Sequence, residues 1–183
     1  MARYDPKEMF RYLKQLITEF ETTNSIEAKE QVLANLANFA YDPVNYDHFR
    51  ELKLMKLFLE QLEDENETIQ EFAVGGVCNL TGEKSFADEL VRLGGIPKLV
   101  TCLRSSREET VLSAITVLIF LASSGLKEDV KSPTVVELIL KCADSPNKRL
   151  ANLANVFLEE ACGQDNVEQV QSTVSTTDCE HVT

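Results

Sequence analysis

Residues 91–103 read VRLGGIPKLVTCL. This stretch decides the fold, because a glycine pair that ends one helix is followed at once by residues that start another. Gly94 and Gly95 permit an abrupt change of chain direction, since glycine reaches backbone conformations that other residues avoid. Ile96 begins the next packed face. Pro97 suits the first turn of a helix, where its missing N–H would have no partner in any case. The stretch therefore predicts a junction between two helices.

Outward from this junction, apolar residues recur three and four apart through most of the chain, and beta signals are sparse. This spacing is typical of one face of an α-helix, so the sequence predicts an all-α fold. Near the start of the chain, Asp5 is a suitable N-cap and Pro6 a suitable first helical residue. The apolar residues that fall on one face of this first helix are Met9, Leu13, Leu16, Ile17 and Phe20.

The helical pattern repeats along the chain. Four similar helical stretches close on leucines that are 44, 41 and 37 residues apart, namely Leu36, Leu80, Leu121 and Leu158. Three shorter apolar helices end at positions 41 and 39 residues apart, namely Leu62, Leu103 and Cys142. Periods of this length are typical of two- and three-helix solenoid units.

The junction at residues 91–103 resembles the boundary between the first and second helices of an armadillo repeat, and residues 73–80 resemble the third helix. The resemblance covers residues 25–162, about three and a half repeats. It implies an all-α, armadillo-type right-handed superhelical solenoid over residues 1–162, with an N-terminal capping helix at 1–24 and a polar, flexible tail at 163–183. Two junctions depart from the pattern. Leu52-Lys53-Leu54-Met55 replaces the glycine pair, and Val130-Lys131-Ser132-Pro133 keeps only the proline.

In armadillo repeats the third helices line a concave groove, where an Asn before the closing leucine hydrogen-bonds the backbone of an extended ligand. An amide both donates and accepts, so it can bind a peptide backbone without selecting a side chain. The resemblance implies that the groove residues here are Gln31, Asn35, Gly75, Asn79, Thr116, Phe120 and Phe157. Alternatively, some of them cap the solenoid or fill its core. A second register is also open, because residues 33–38 recur at 150–155 and would place Asn152 in the groove.

Two consecutive glycines, Gly75 and Gly76, fall inside a predicted helix. Each costs about 0.5–1 kcal/mol relative to alanine at such a position. The preferred explanation is the close approach of a neighbouring helix. The alternative is a ligand backbone that lies over Gly75.

The chain has 183 residues, with 18 Lys and Arg against 30 Asp and Glu and a net charge of −12. Its length and its 44% hydrophobic content support a domain with a real core. Affinity for nucleic acid comes largely from basic side chains. The acidic balance therefore argues against this protein being the main phosphate-binding surface of a nucleic-acid complex, and against its binding anionic membranes. The longest apolar stretch, residues 111–122, is too short to span a membrane and is predicted to be a buried helix.

Catalytic signals are weak in this sequence. The only two histidines are His48, near a predicted helix, and His181, in the predicted tail, so the sequence favours neither a histidine-based triad nor a metal cluster. Cys78, Cys102 and Cys142 lie within apolar helices, which favours core packing over a nucleophilic role. The sequence therefore predicts a protein that is not an enzyme, that needs no cofactor or metal, and that takes no small-molecule substrate.

Within the armadillo family, this short, acidic, whole-chain arrangement is similar to small armadillo-repeat proteins of the minor spliceosome. That resemblance implies a scaffold subunit that supports pre-mRNA splicing in the nucleus, with the cytosol as a second location. Its partner would carry an RNA-recognition motif and hold a small nuclear RNA, so RNA contact would be mainly indirect. The rival function is a nuclear-transport or assembly adaptor that binds extended peptides. Importin-type grooves bind basic peptides with Trp side chains, and this chain has no Trp.

Overall fold

The structure, a computed structural model, describes residues 5–163. The chain divides into two compact units, one ending at Lys98 and the other beginning at Leu99. The first unit contains α1 (Pro6–Thr22), α2 (Ile26–Ala40), a 3-10 turn (Pro43–Asn45), α3 (Tyr46–Glu51), α4 (Leu54–Gln61), α5 (Glu67–Thr81) and α6 (Lys84–Arg92). α7 (Gly95–Cys102) crosses the division, and the second unit contains α8 (Glu108–Ser123), α9 (Lys127–Val130), α10 (Pro133–Ala143) and α11 (Lys148–Cys162). Regular structure in the described residues is helical, as predicted. The predicted tail beyond Gly163, with His181, lies outside them.

Four helices, α2, α5, α8 and α11, recur at regular spacing. Their N-cap residues are Ser25, Asn66, Arg107 and Asn147, which lie 41, 41 and 40 residues apart. The side chains of Ser25, Asn66 and Asn147 accept hydrogen bonds from backbone N–H groups of the first turn, which the helix itself leaves without partners. This regular recurrence confirms the repeat that the sequence predicted.

The N-cap spacing corrects the alignment of the repeats by one helical turn. Asn79 and Phe120 both lie thirteen residues after their N-caps, and the residue at that position of α2 is Asn38. Asn35 and Phe157, which the leucine spacing matched to Asn79, lie ten residues after theirs. The leucine alignment slips because apolar residues three apart both face the core, so spacing alone does not single out one of them.

A hydrogen-bonded turn precedes each of these four helices. In every case a side-chain oxygen two residues before the N-cap accepts the N–H of the N-cap residue, at 2.8 to 3.2 Å. The acceptors are Thr23, Asp64, Ser105 and Ser145. Short polar side chains favour such turns because they offer the backbone a local acceptor. The polar residues between the repeats therefore determine where each long helix begins.

α1 packs against α2 through one apolar face. As predicted, Pro6 is its first residue and Asp5 is its N-cap, accepting the N–H of Lys7 at 2.9 Å. The buried residues of α1 are Leu13, Leu16 and Phe20, and Met9 and Ile17 are partly buried. The apolar stripe that the sequence predicted is thus the face by which α1 joins the first unit.

Gly76 of α5 lies against Phe58 of α4. A Cβ atom at position 76 would stand only 2.3 to 2.7 Å from atoms of the Phe58 ring, and Phe58 has no exposed surface. Close packing therefore accounts for Gly76. Gly75 is different, because a Cβ atom there would meet nothing within 4 Å. Successive side chains of a helix point about 100° apart, so the two neighbouring glycines serve different surfaces.

The junctions before α4 and α7 each contain a residue with positive φ. Gly94, just before α7, has φ of 70°, and Lys53, just before α4, has φ of 55° and ψ of 41°. This left-handed conformation costs a non-glycine residue roughly 1–2 kcal/mol. Gly95 is constrained by packing instead, because a Cβ atom there would lie 2.8 to 3.0 Å from side-chain atoms of Leu90 and Leu59. The junction before α4 thus lacks the glycine pair in sequence but has a positive φ, as the junction before α7 does.

In the second unit, α11 packs against both α8 and α10. The predicted buried helix at residues 111–122 lies within α8. Its buried residues are Val111, Leu112, Ala114, Ile115, Val117, Leu118, Leu121 and Ala122. The Thr116 hydroxyl donates a hydrogen bond to the Leu112 carbonyl at 2.8 Å, which satisfies a polar group inside this apolar helix. Across residues 5–163, no helix combines the length and the hydropathy that a membrane span requires.

Candidate functional site

The predicted groove residues of the first unit lie on α2 and α5, which pack against each other. Gln31 is exposed, and Asn35, Gly75 and Asn79 are partly exposed. The pairing of the two helices therefore gathers four of the predicted residues onto one pair of neighbouring elements, and each retains some accessible surface.

Asn79 binds the protein itself as well as facing solvent. Its Nδ2 atom donates a hydrogen bond to the carbonyl oxygen of Ala37 at 3.0 Å, which links α5 to α2. Its own backbone carbonyl accepts a hydrogen bond from the Tyr46 hydroxyl at 3.3 Å. Burial, with smaller contributions from nearby carboxylates, raises the pKa of Tyr46, so the phenol remains a donor. Asn79 is thus a link between two repeats in addition to a surface residue.

Asn38 is a candidate that the sequence interpretation missed. It takes the position of Asn79 on α2, and its side chain is exposed. Within residues 5–163, its amide has no hydrogen-bond partner, so it is available to a ligand. The signal that identifies it is the 41-residue spacing of the N-caps Ser25 and Asn66, which the leucine spacing obscured.

Small residues lie one helical turn before these two asparagines. They are Ala34 on α2 and Gly75 on α5. Because position 75 carries no side chain and opens onto free space, a ligand can approach the α5 backbone closely there. We call the set of Ala34, Asn38, Gly75 and Asn79 the amide surface.

The predicted groove residues of the second unit differ in exposure. Phe120 is 37% exposed, and Thr116 is partly exposed. Phe157 has no exposed surface, so we correct its role from partner contact to core residue. Its position on α11 is one turn before the one that matches Phe120, and that turn faces the interior. Asn152, from the alternative register, is exposed, as is Val156 at 48%.

Asparagine–glutamate pairs join neighbouring long helices within each unit. In the first unit, Asn66 Nδ2 donates to Glu30 Oε1 at 2.8 Å. In the second unit, Asn147 Nδ2 donates to Glu108 Oε2 at 2.7 Å. Each asparagine caps its own helix with its oxygen and binds the preceding long helix with its nitrogen. These bonds hold each pair of helices in register, because a carboxylate acceptor makes the hydrogen bond strong and directional.

Cys78, Cys102 and Cys142 are poorly suited to nucleophilic chemistry. Burial raises the pKa of Cys78 to about 11 and also raises the pKa of Cys142, and Cys102 is buried. The thiolate is the reactive form, so these shifts disfavour it at Cys78 and Cys142. His48 packs edge-on to Phe10, with ring centroids 5.6 Å apart. From Asp5 to Gly163, no group of three His, Cys, Asp or Glu side chains is arranged to hold a metal ion.

A curated relative matches most of the chain. Armadillo repeat-containing protein 7 of Mus musculus is 48% identical over 163 residues, which cover 88% of this chain and 82% of the mouse protein. The chain belongs to the armadillo-repeat family. Junction plakoglobin of Homo sapiens, 33% identical over 99 residues, matches 54% of this armadillo-repeat chain, which spans 13% of plakoglobin. No family model matches the chain.

Solved structures share this fold. A computationally designed armadillo-repeat protein for modular peptide recognition matches with a TM-score of 0.74 and 20% identity, over 81% of this chain and 63% of the designed one. A designed armadillo-repeat protein in complex with the peptide (KR)4 matches with a TM-score of 0.72 and 17% identity, over 96% of this chain and 80% of that one. The fold class is therefore the predicted all-α armadillo-type solenoid.

Proposed function

We propose that this armadillo-repeat protein is a non-enzymatic scaffold that binds an extended segment of a protein partner across the amide surface. The observation that carries the proposal is Gly75. A glycine inside a helix costs about 0.5–1 kcal/mol relative to alanine. Beyond its chain neighbours and the backbone of its own helix, no atom of the described residues lies within 4 Å of where a Cβ atom at position 75 would be, so packing does not explain the glycine. A ligand backbone passing over position 75 accounts for the glycine.

The hydrogen-bonding groups on either side suit an extended backbone. The Asn38 amide has no hydrogen-bond partner among residues 5–163, and Asn79 uses one N–H for Ala37. Among residues 5–163, the side-chain oxygen of Asn79 has no hydrogen-bond donor. An amide can accept from a peptide N–H and donate to a peptide C=O, which are the groups that an extended ligand presents.

The second unit contributes a contact of another kind. Phe120 and Val156 are large apolar side chains that remain 37% and 48% exposed. Exposed apolar side chains of this size gain free energy when a partner removes them from water. We propose that they bind apolar side chains of the partner, separately from the amide surface.

We further propose that the protein is a nuclear subunit of the minor spliceosome that supports pre-mRNA splicing. Its partner carries an RNA-recognition motif and holds a small nuclear RNA, so the RNA contacts this chain mainly through the partner. The support is the resemblance of the short, acidic chain to that class, together with a net charge of −12, which suits a subunit whose partner supplies the phosphate contacts.

The second candidate function is a transport or assembly adaptor that binds free extended peptides. The acidic net charge favours basic peptides, and one designed structure of the same fold is complexed with (KR)4. The absence of Trp counts against a groove that grips lysine side chains between indole rings.

Affinity purification from nuclear extract tests these functions. Tagged wild-type protein is compared with Gly75→Gln, which fills the open position, and with Gly82→Gln as the matched control. Gly82 is exposed, has φ of −61°, and a Cβ atom there also meets nothing within 4 Å, but it lies at the end of α5, outside the amide surface. Co-purified proteins and RNAs are identified, and circular dichroism verifies that each variant is folded.

The scaffold proposal expects a stoichiometric partner with wild type and Gly82→Gln and its loss with Gly75→Gln. Recovery of the same partner by Gly75→Gln would remove the amide surface from the interface. A partner with an RNA-recognition motif and a small nuclear RNA supports the splicing assignment, and its absence from the wild-type sample contradicts that assignment. Binding of the (KR)4 peptide by the isolated protein, without a stoichiometric partner, supports the adaptor function instead.

A further inference from the structure

A cleft of about 370 Å³ lies within the first unit, away from the amide surface. It is bounded by α1, the start of α2, the junction before α4, and α4 itself. Its charged lining residues are Lys29, Lys53, Lys56, Glu21 and Glu60. Three cations against two anions make it locally cationic in a chain whose net charge is −12.

Lys29 stands where the other repeats have an uncharged residue. The fourth residue after the N-cap is Gln70 in α5, Val111 in α8 and Ala151 in α11, whereas in α2 it is Lys29. Its side chain is partly buried, and its ammonium group lies 5.6 Å from the centroid of the Phe20 ring. Among the described residues no carboxylate pairs with it. A partly desolvated cation costs free energy, and an anion bound beside it would lower that cost.

Lys53 enters the cleft from a strained backbone. Its φ of 55° is positive, like the φ of 70° at Gly94 before α7. Glycine would avoid the cost of this conformation, so the lysine side chain is retained at a penalty to folding. Within residues 5–163 its ammonium group also has no carboxylate partner. The penalty is explained if the side chain has a role outside the stability of the fold.

The two glutamates do not neutralise these two lysines. Glu60 is 3.6 Å from Lys56, four residues earlier on α4, and both side chains are more than half exposed. Such a pair is weak and rearranges easily. The remaining walls of the cleft are mainly aliphatic and aromatic, with Ile17, Phe20, Leu52 and Leu57.

We propose that this cleft binds one anionic side chain, a carboxylate or a phosphate, carried by a segment of a protein partner. Lys29 and Lys53 bind the anionic group, and the aliphatic walls bury the carbon chain that carries it. A protein segment fits better than RNA, because Glu21 and Glu60 at the same cleft repel a polyanionic backbone whereas a single charge can avoid them. This site does not depend on the amide surface or on the function proposed for it.

The test uses the full chain and fluorescently labelled peptides in binding titrations by fluorescence anisotropy. One short peptide carries a single phosphoserine among leucine and alanine residues, the second carries glutamate at that place, and the third carries serine. The protein variants are Lys29→Met, Lys53→Gly and, as a control of equal charge change, Lys14→Met. Lys14 is exposed on α1 and does not line the cleft. A short single-stranded RNA is titrated in parallel.

We expect the phosphoserine or glutamate peptide to bind more tightly than the serine peptide. Lys29→Met and Lys53→Gly should each weaken this binding by about tenfold, the scale of one lost charge-assisted contact, while Lys14→Met leaves it unchanged. Lys53→Gly should also raise the melting temperature, because it relieves the backbone. If Lys53 had only a structural role, its removal would not weaken binding and stabilise the fold at the same time. Gly75→Gln should leave the peptide affinity unchanged, which separates this site from the amide surface.

Three results would overturn the proposal. The first is no binding of either anionic peptide at millimolar concentration. The second is equal weakening by Lys14→Met, which would mean attraction to charge in general. The third is tight binding of the RNA with no discrimination among the peptides, which would assign the cleft to another class of macromolecule.

Discussion

The Nδ2 atom of Asn79 lies 3.0 Å from the carbonyl oxygen of Ala37, so this side chain of the amide surface also links two consecutive repeats. Ala37 is near the end of α2, where the last carbonyls of a helix lack partners within it. Asn79 supplies one such partner from the next long helix. Loss of this amide therefore affects the fold as well as any ligand, and its two effects must be measured separately.

Asn79→Ala should lower the free energy of unfolding by about 1 kcal/mol, because the Ala37 carbonyl loses a hydrogen-bond donor in a partly buried place. Asn38→Ala is the matched control. It removes the same amide from the equivalent, exposed position of α2, so stability should change by less than about 0.5 kcal/mol. Urea denaturation followed by circular dichroism measures both. Equal destabilisation by the two variants would contradict the assigned roles.

Gly75→Ala and Gly76→Ala should change stability in opposite directions. At position 75 a methyl group meets open space, so the better helix propensity of alanine should stabilise the protein by about 0.5–1 kcal/mol. At position 76 the methyl group collides with the Phe58 ring, so overpacking should cost about 1–3 kcal/mol despite the same gain in propensity. Thermal unfolding of the two variants checks the sign.

A double-mutant cycle identifies the source of the Gly76 effect. In a Phe58→Leu background the ring is gone, and Gly76→Ala should cost much less than in the wild type, with a coupling of about 1 kcal/mol or more. Additive effects of the two substitutions would place the clash elsewhere.

Lys53→Gly and Gly94→Ala form a reciprocal pair at the two junctions. Both positions have positive φ, so Lys53→Gly should raise stability by about 0.5–1 kcal/mol, after allowing for the greater freedom of glycine in the unfolded chain. Gly94→Ala should lower stability by about 1 kcal/mol, although its Cβ atom has free space. Chemical denaturation measures both. A destabilised Lys53→Gly variant would mean that the lysine side chain supports the fold.

The Cys78 thiol gives a pH dependence of known sign. Burial raises its pKa from 9.0 to about 11, so the folded state holds the thiol proton more tightly than the unfolded state does. Its stability contribution is complete below pH 9 and is lost as the pH rises through 11. Relative to Cys78→Ala, the wild type should lose stability more steeply across this window.

Thiol labelling provides the second measurement for Cys78. At pH 8 the native protein should react slowly with iodoacetamide at this residue, since only about one thiol in a thousand is ionised three pH units below the pKa. Unfolding in urea should restore an ordinary rate. Rapid labelling of Cys78 in the native protein would contradict its burial.

Much of the helical structure was predictable from local patterns. Asp5 and Pro6 begin α1 as expected, and eight of the residues in 111–122 are buried in α8. Such features depend on neighbours within one or two turns, where capping and apolar spacing are sufficient to identify them. The period near 40 residues was visible for the same reason, since each repeat carries its own helix signals.

The candidate site was less predictable, because helical spacing does not say which of two apolar turns points inward. Phe157 was expected at the groove but lies in the core, and Asn38 was overlooked although it takes the position of Asn79. The structure resolves the choice through the positions of the N-caps, which show where each long helix begins. The apolar residues within these helices fit the same spacing pattern when the alignment of the repeats is shifted by one turn.

The sequence by itself determined that the chain is helical, that it repeats, and that it is acidic, because these properties come from local propensity and composition. Only the tertiary structure decided that Gly76 accommodates Phe58 while Gly75 stays open, that Asn79 binds Ala37, and that Lys53 adopts the conformation of a glycine. These outcomes depend on contacts between residues far apart in the chain, or on backbone angles imposed by them. Such contacts exist only after the helices have packed.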